Sequence, residues 1–447
     1  MRRTPLGVAS RSIFAEALAA CSVEAAMRAK ISAHAGGYTL RGAADEASVE
    51  INLGGVRRVV VIAAGKAAAA MLRSLLSVVR MPEGCTLSGV LIAPERPADL
   101  LDGIEYFAGG HPLPSVASFA AAQAALALVR GAAANCAVMP AFCFFLLSGG
   151  ASAMMELPLD ASITLADTVA FHRALVLSGA PIAEMNCVRK YFSAVKGGRL
   201  GAAAAMPSAT LGVSDVPAGR LDVLASGPTL PDPSTAAECR EILARYGLLE
   251  QFTARVRDFF SAEIPETPKP GAFVTRAVTL LSDRDLAAAA KRAAQAMGFH
   301  AVVDRTSDNW DYKRAAEFLL EKLERLSAQH GRVCLIAPGE TVVKVPSNVV
   351  GVGGRNQHFA LYAATLLESE RRATAILSAG SDGIDGNSRF AGAVVDENTL
   401  HTAGKRETAL DALRRFDATT FLRSIDATIE TGPTGNNLRD LRLLLAE

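Results

Sequence analysis

Short, uninterrupted apolar runs recur along this chain, and each ends on a small or polar loop that leads into an alanine-rich stretch. Arg58–Ala63 (RVVVIA) gives way to Gly65-Lys66 and then to Ala67–Val79, and Cys143–Leu147 (CFFLL) gives way to Ser148-Gly149-Gly150. A strand with one wet face would alternate apolar and polar residues. Continuous apolar runs fit strands buried on both faces, in parallel sheets covered by helices. The same pattern predicts strands at Leu87–Ala93, Thr210–Val213, Val278–Leu281, Ala301–Val303, Val333–Ala337 and Thr374–Ser378. It also predicts a helix over Ala117–Arg130 and a closing helix near Asn437–Leu445. The expected class is α/β, with mainly parallel, helix-covered sheets. A length of 447 residues exceeds one compact core, so two domains are expected. Strand–helix alternation restarts after the proline-rich segment Ile264–Gly271 (IPETPKPG), which places the split between 1–265 and 266–447.

Charge excludes some partners. Lys and Arg number 46 against 45 for Asp and Glu, so neither nucleic acid nor an anionic membrane surface is an expected partner. The longest apolar stretch, around Cys136–Leu147, contains Pro140 and is too short to span a bilayer. Met1-Arg2-Arg3, with no acid before Glu16, is compatible with a transit peptide. No apolar block with a cleavage site follows, so a first amphipathic helix, Ser10–Ala29, and a cytoplasmic location are expected. The 7 cysteines show no CxxC spacing and read as reduced thiols, with Cys143 and Cys334 in the core.

Ligands of parallel sheets bind beyond the carboxyl ends of strands, which directs attention to the loops there. Ser148, Gly149, Gly150 and Ser152 form a small-residue turn whose N–H groups and hydroxyls suit an anion, although such turns also arise from packing alone. Lys66 stands where the first strand feeds its helix. The position is already positive, so the lysine makes sense beside an anion, or else as a solvated surface cation. Gly353, Gly354, Arg355 and Asn356 open a later helix, and the arginine offers a planar fork for carboxylate or phosphate. Asp382 and Asp385, among glycines after another strand, are candidate Mg²⁺ ligands or a pair of Asx turns. Asp215 follows the fourth strand. A basic cluster, Arg189, Lys190, Lys196 and Arg199, is either a solvated face or a set of anion contacts. No GxxxxGK[ST] loop occurs, and the third glycine of a GxGxxG fingerprint would fall on Asn356. Taken together, these loops favour a phosphoryl-transfer cleft between domains.

VIAAGKAA (61–68), GGHPLPS (109–115), LLSGGASAMME (146–156), MNCVRKYFSAVKGGRL (185–200), GVSDV (212–216), ASGPTLPDPST (225–235), GETVV (339–343), GVGGRNQ (351–357), SAGSDGIDG (378–386) and TGPTGNN (431–437) resemble, in order, the glycerate 2-kinase family with a C-terminal MOFRL domain. The resemblance implies a Rossmann-like N-terminal domain and a MOFRL region at about 332–442. It further implies phosphorylation of D-glycerate to 2-phosphoglycerate by ATP with Mg²⁺ or another divalent metal. A monomer or homodimer is expected. Lys66 and Arg355 match the family's active-site lysine and arginine, and Asp215 of the SDV motif is placed as base or metal contact. Several positions depart from the family pattern: Tyr191 for His, Ser115 for Asp, His358 for Glu, and Asn387-Ser388-Arg389 for Pro-Thr-Asp. Two rivals are weighed. A nicotinamide-dependent hydroxypyruvate reductase would need GxGxxG after the first strand, where only Ala64-Gly65-Lys66 stands. A non-catalytic nucleotide or sugar-acid sensor would bind without turnover.

Overall fold

The computed structural model describes residues 4–43, 45–216, 219–346, 349–367 and 372–447; Met1-Arg2-Arg3 lie outside the described residues. The chain divides into two compact units, Ala26–Leu280 and a second made of Met1–Ala25 with Leu281–Glu447. The boundary therefore falls beyond the proline-rich segment. That segment is tied into the first unit rather than serving as a linker: Asp232 N–H donates to Pro268 O at 2.9 Å, and Thr267 Oγ1 donates to Asp232 at 3.1 Å.

In the unit Ala26–Leu280 a small antiparallel sheet, β1 (Ile31–His34), β2 (Gly37–Leu40) and β3 (Val49–Ile51), precedes the main one. The main sheet comprises β4 (Arg58–Ala64), β5 (Thr86–Ala93), β6 (Ile104–Ala108), β7 (Ala141–Ser148), β8 (Ser208–Val213) and β9 (Ala277–Leu281), in the order β6-β5-β4-β7-β8-β9. The pairs β4–β5, β4–β7, β5–β6 and β7–β8 are parallel, as the continuous apolar runs predict. Every residue of β7 is buried, so both faces are covered. The helix Val116–Ala134 is long and apolar enough to cross a membrane, yet it lays Ala121, Ala125 and Val129 into the core beside Val60 and Phe145. A separate aromatic core joins the helices Leu165–Leu177, Ile182–Phe192 and Ala254–Ser261. There Phe171 stacks on Phe192 at 4.0 Å and lies near Phe252 and Phe260.

The other unit carries β10 (His300–Val303), β11 (Val333–Pro338), β12 (Thr374–Gly380), β13 (Gly392–Asp396), β14 (Thr428–Ile429) and β15 (Asp440–Ala446), ordered β10-β11-β15-β12-β13-β14. Only β10–β11 is parallel; β15 runs antiparallel to both its neighbours, and β13 and β14 continue antiparallel. The closing helix expected near Asn437–Leu445 is thus a strand. Its leucines and alanine favour helix intrinsically, but a slot between two strands buries all of β15 and overrides that preference. Leu335, Ile376 and Leu444 face the helices Tyr312–His330 and Arg355–Leu366, while the alternate residues Ile336, Leu377 and Leu443 are equally buried. The first helix is broken: Pro5–Ala20, capped by Thr4, and Val23–Lys30 are bent by 57° about Cys21. All seven cysteines are free, and Cys143 and Cys334 are buried in strands. Phe171→Ala is expected to destabilise its unit by about 3–5 kcal/mol, read as a lowered urea midpoint with an unchanged slope.

Candidate active site

The first loop cluster is built by an interlock between the ends of β4 and β7. Gly65 adopts φ +115°, and a side chain there would collide with Ser148. Lys66 N–H donates to Gly149 O at 2.9 Å, and Ala67 N–H donates to Ser148 Oγ at 3.0 Å. Ser148, expected as a phosphate contact, is therefore a buried clamp between loops. Gly149 has no room for a Cβ because the Asp215 carboxylate lies against it. Gly150, at φ +88°, has Lys66 Cγ 3.5 Å and His111 Cδ2 3.2 Å from where its Cβ would stand. Lys66, Gly149, Gly150, Asp215 and His111 are thus brought together at the carboxyl edge of a parallel sheet. The half-buried Lys66 ammonium pairs with no carboxylate among the described residues. Burial, reinforced by Lys66, holds the His111 imidazole below its usual range.

A cavity of about 510 Å³ adjoins this cluster and is lined by His111, Gly150, Ser152, His172 and Arg189 among others. Ser152 Oγ shares a hydrogen bond with Ser226 Oγ at 3.0 Å. Two expected anion contacts are corrected. Lys190 donates to Asp232 at 2.9 Å, and Lys196 is bonded to Glu156 Oε2, which His172 Nε2 also meets at 2.9 Å. Both ammonium groups are buried, so each needs its carboxylate to offset lost hydration. Burial alone would raise the Glu156 carboxyl, but Lys196 and His172 hold it down at about 2.

The second unit's loops surround a cavity of about 650 Å³. Arg355 lies on its wall with the guanidinium already engaged: Nε and NH2 donate to Asp440 at 2.5 and 3.2 Å, and NH2 meets Glu340 at 2.7 Å. Burial works against this cation, yet Asp440 and Glu340 hold it more firmly protonated than usual. Asp385 is not a free metal ligand. Its oxygens accept from the N–H groups of Asn356 and Gln357 at 3.0 and 2.8 Å and from both side-chain amides, capping the helix Arg355–Leu366 from another loop. Burial pushes its carboxyl up to about 6. Asn356 is committed as well, since its Oδ1 accepts from Ser378 at 2.7 Å. Gly353 N–H donates to Asn387 Oδ1 at 2.8 Å, and Gly354 leaves space that Asp385 fills. Asp382 Oδ1 accepts from Ile384 N–H at 3.2 Å in an Asx turn. With four donors on its oxygens, Asp385 offers no open carboxylate beside Asp382 for a protein-held Mg²⁺, and among the described residues no group of three or more His, Cys, Asp or Glu could hold a metal ion.

The departures from the family pattern have structural roles. Tyr191 Oη donates to Glu266 at 2.6 Å and accepts from Lys269 at 2.9 Å, and Ser115 caps the helix Val116–Ala134. Arg389 is exposed and meets Glu430 at 3.7 Å. His358 stacks on Phe416 at 5.2 Å, and burial lowers it to about 4.

A family model described as a domain of unknown function (DUF4147) matches residues 9–261, and the MOFRL family model matches residues 333–440. The D-glycerate 2-kinase of Thermotoga maritima is 35% identical over 393 residues, covering 86% of this chain and 89% of the relative. The chain belongs to the glycerate 2-kinase family. A second such relative, from Pyrococcus horikoshii, is 33% identical over 396 residues, covering 86% of both chains. The crystal structure of the Thermotoga maritima glycerate kinase superposes with a TM-score of 0.80 at 30% identity, over 99% of both chains. Within this glycerate 2-kinase fold, the buried Glu156 generates a pH test. Its carboxyl is depressed, so its contribution to stability is present above about pH 4.5 and lost as the pH falls toward about 2. Urea unfolding at pH 7, 5 and 3 should show that loss in the parent. Glu156→Gln should flatten it and cost about 3–5 kcal/mol at pH 7, because Lys196 is left buried without its partner.

Proposed function

We propose that this protein transfers the terminal phosphoryl group of ATP to the 2-hydroxyl of D-glycerate, giving 2-phosphoglycerate and ADP. The observation that carries the reading is the convergence of Asp215 and Lys66, which pairs with no carboxylate among the described residues, on the Gly149-Gly150 turn at the edge of a parallel sheet. The activity named for the relatives from Thermotoga maritima and Pyrococcus horikoshii supports it. In this reading Asp215 takes the proton of the 2-hydroxyl as its oxygen forms a bond to the terminal phosphorus. The bond from that phosphorus to the bridging oxygen breaks, and ADP departs. Lys66 neutralises charge on the group in flight, and the glycine turn lets backbone approach the phosphates. Arg355, held by Asp440 and Glu340 through Nε and NH2, has NH1 to offer an anionic oxygen. Because the Asp382/Asp385 pair does not fit a resident metal, no step is assigned to one; ATP enters as its divalent-metal complex.

Incubation with D-glycerate and MgATP should yield a product that enolase converts directly to phosphoenolpyruvate. A product that first needs phosphoglycerate mutase would instead mean transfer to the 3-hydroxyl. Lys66→Ala and Asp215→Asn should each lower kcat about 10²–10³-fold with native circular dichroism. Full activity in both variants would remove the assignment.

A further inference from the structure

We propose that Arg189 anchors the carboxylate of the acceptor substrate inside the cavity beside the Lys66 turn. The inference rests on D-glycerate as the acceptor and specifies where its charged end is held. Of the four cations that cluster in the sequence, Lys190 and Lys196 have buried carboxylate partners, and Arg199 donates to the carbonyls of Pro265 and Glu266 at 3.1 and 3.3 Å. Arg189 has neither. Among the described residues its guanidinium reaches only Asn186 Oδ1, at 3.2 Å from NH1, and its buried Nε has no acceptor. Glu156, whose charge it feels, is already committed to Lys196 and His172. Such a cation is poorly compensated, and burial pulls its pKa down.

The cavity supplies the rest of the case. Arg189 shares its wall with His111 and Arg173, with Leu113, Val176 and Leu177 as apolar lining, and no acid lines it among the described residues. Gly150 lies on the same wall, and Lys66 Cγ is 3.5 Å from the Cβ position that Gly150 leaves empty. The cavity therefore opens beside the atoms assigned to phosphoryl transfer. The planar fork of Arg189, on a wall that also carries Arg173 and apolar side chains, matches the carboxylate of a short-chain acid. Asn186 holds NH1 and is itself bonded by Ser226 Oγ at 3.2 Å, so the fork is braced before substrate arrives.

Arg189→Met and Arg189→Lys, made in the full chain, test the anchor by steady-state kinetics with D-glycerate and with glycerol, which lacks the carboxylate. Losing one charged hydrogen-bond pair should raise the KM for D-glycerate about 10–100-fold in Arg189→Met, with the lysine variant between it and the parent. The KM for ATP should stay unchanged, and the preference for D-glycerate over glycerol should collapse. A raised KM for ATP with that for D-glycerate unmoved would overturn the proposal in favour of a phosphate contact. Unchanged constants in both variants would overturn it outright. If the parent chain does not phosphorylate D-glycerate, the proposed activity fails first. Calorimetric titration of parent and Arg189→Met with D-glycerate alone then decides the anchor: weaker binding in the variant supports it, and equal or absent binding in the parent overturns it.

Discussion

The ends of β4 and β7 cannot be separated without dismantling the loops they carry. Gly65 can approach Ser148 only because it lacks a side chain and tolerates φ +115°. That approach lets Ala67 N–H find the Ser148 hydroxyl and Lys66 N–H find Gly149 O. Two loops distant in sequence thereby become one rigid object, and Asp215 from a third strand end rests on it. Rigid backbone placement matters for phosphoryl transfer, where positioning and charge neutralisation carry most of the acceleration.

Most deeply buried cations of this protein are paired with carboxylates, Arg442 excepted, whose NH2 donates to Pro338 O. Lys190, Lys196 and Arg439 lie in the interior, and each has a carboxylate within hydrogen-bond reach: Asp232, Glu156 and Asp308. Among the described residues Lys66 sits at a loop without such a partner, and Arg189 reaches only an amide oxygen. The same principle applies to anions. Asp385 looks like a metal ligand by composition, but four N–H donors surround it, and it serves as the cap of a helix that lacks a side-chain cap of its own.

Much of this was legible in the sequence. Uninterrupted runs such as RVVVIA and CFFLL can only be satisfied with both faces covered, so β4, β7 and their parallel neighbours followed from composition, and Gly65-Lys66 and Gly149-Gly150 followed as their strand-end loops. In sequence Lys190 and Lys196 look like anion contacts, because their partners, Asp232 and Glu156, lie about forty residues away and no local spacing announces them. Asp385 resembles a metal ligand in sequence for a related reason, since its donors on Asn356 and Gln357 lie 29 and 28 residues before it. Residues 440–446 have the composition of a helix and the environment of a central strand, and environment decides. Arg189 stood in the basic cluster as one of several; only the structure separates it from Lys190 and Lys196, which have carboxylates, and from Arg199, which bonds two backbone carbonyls.

The place of β15 in its sheet has a consequence for biosynthesis. It lies between β11 and β12, yet it follows both in the chain, and the helix Pro5–Ala20 packs against the same sheet from the opposite end of the sequence. The unit Ala26–Leu280 is contiguous and can acquire its core as it leaves the ribosome. The other unit must wait, with β11 and β12 unjoined, until residues 440–446 arrive to link them. During that interval two apolar strand edges stand open, and such edges favour mispairing until residues 440–446 fill the slot between them.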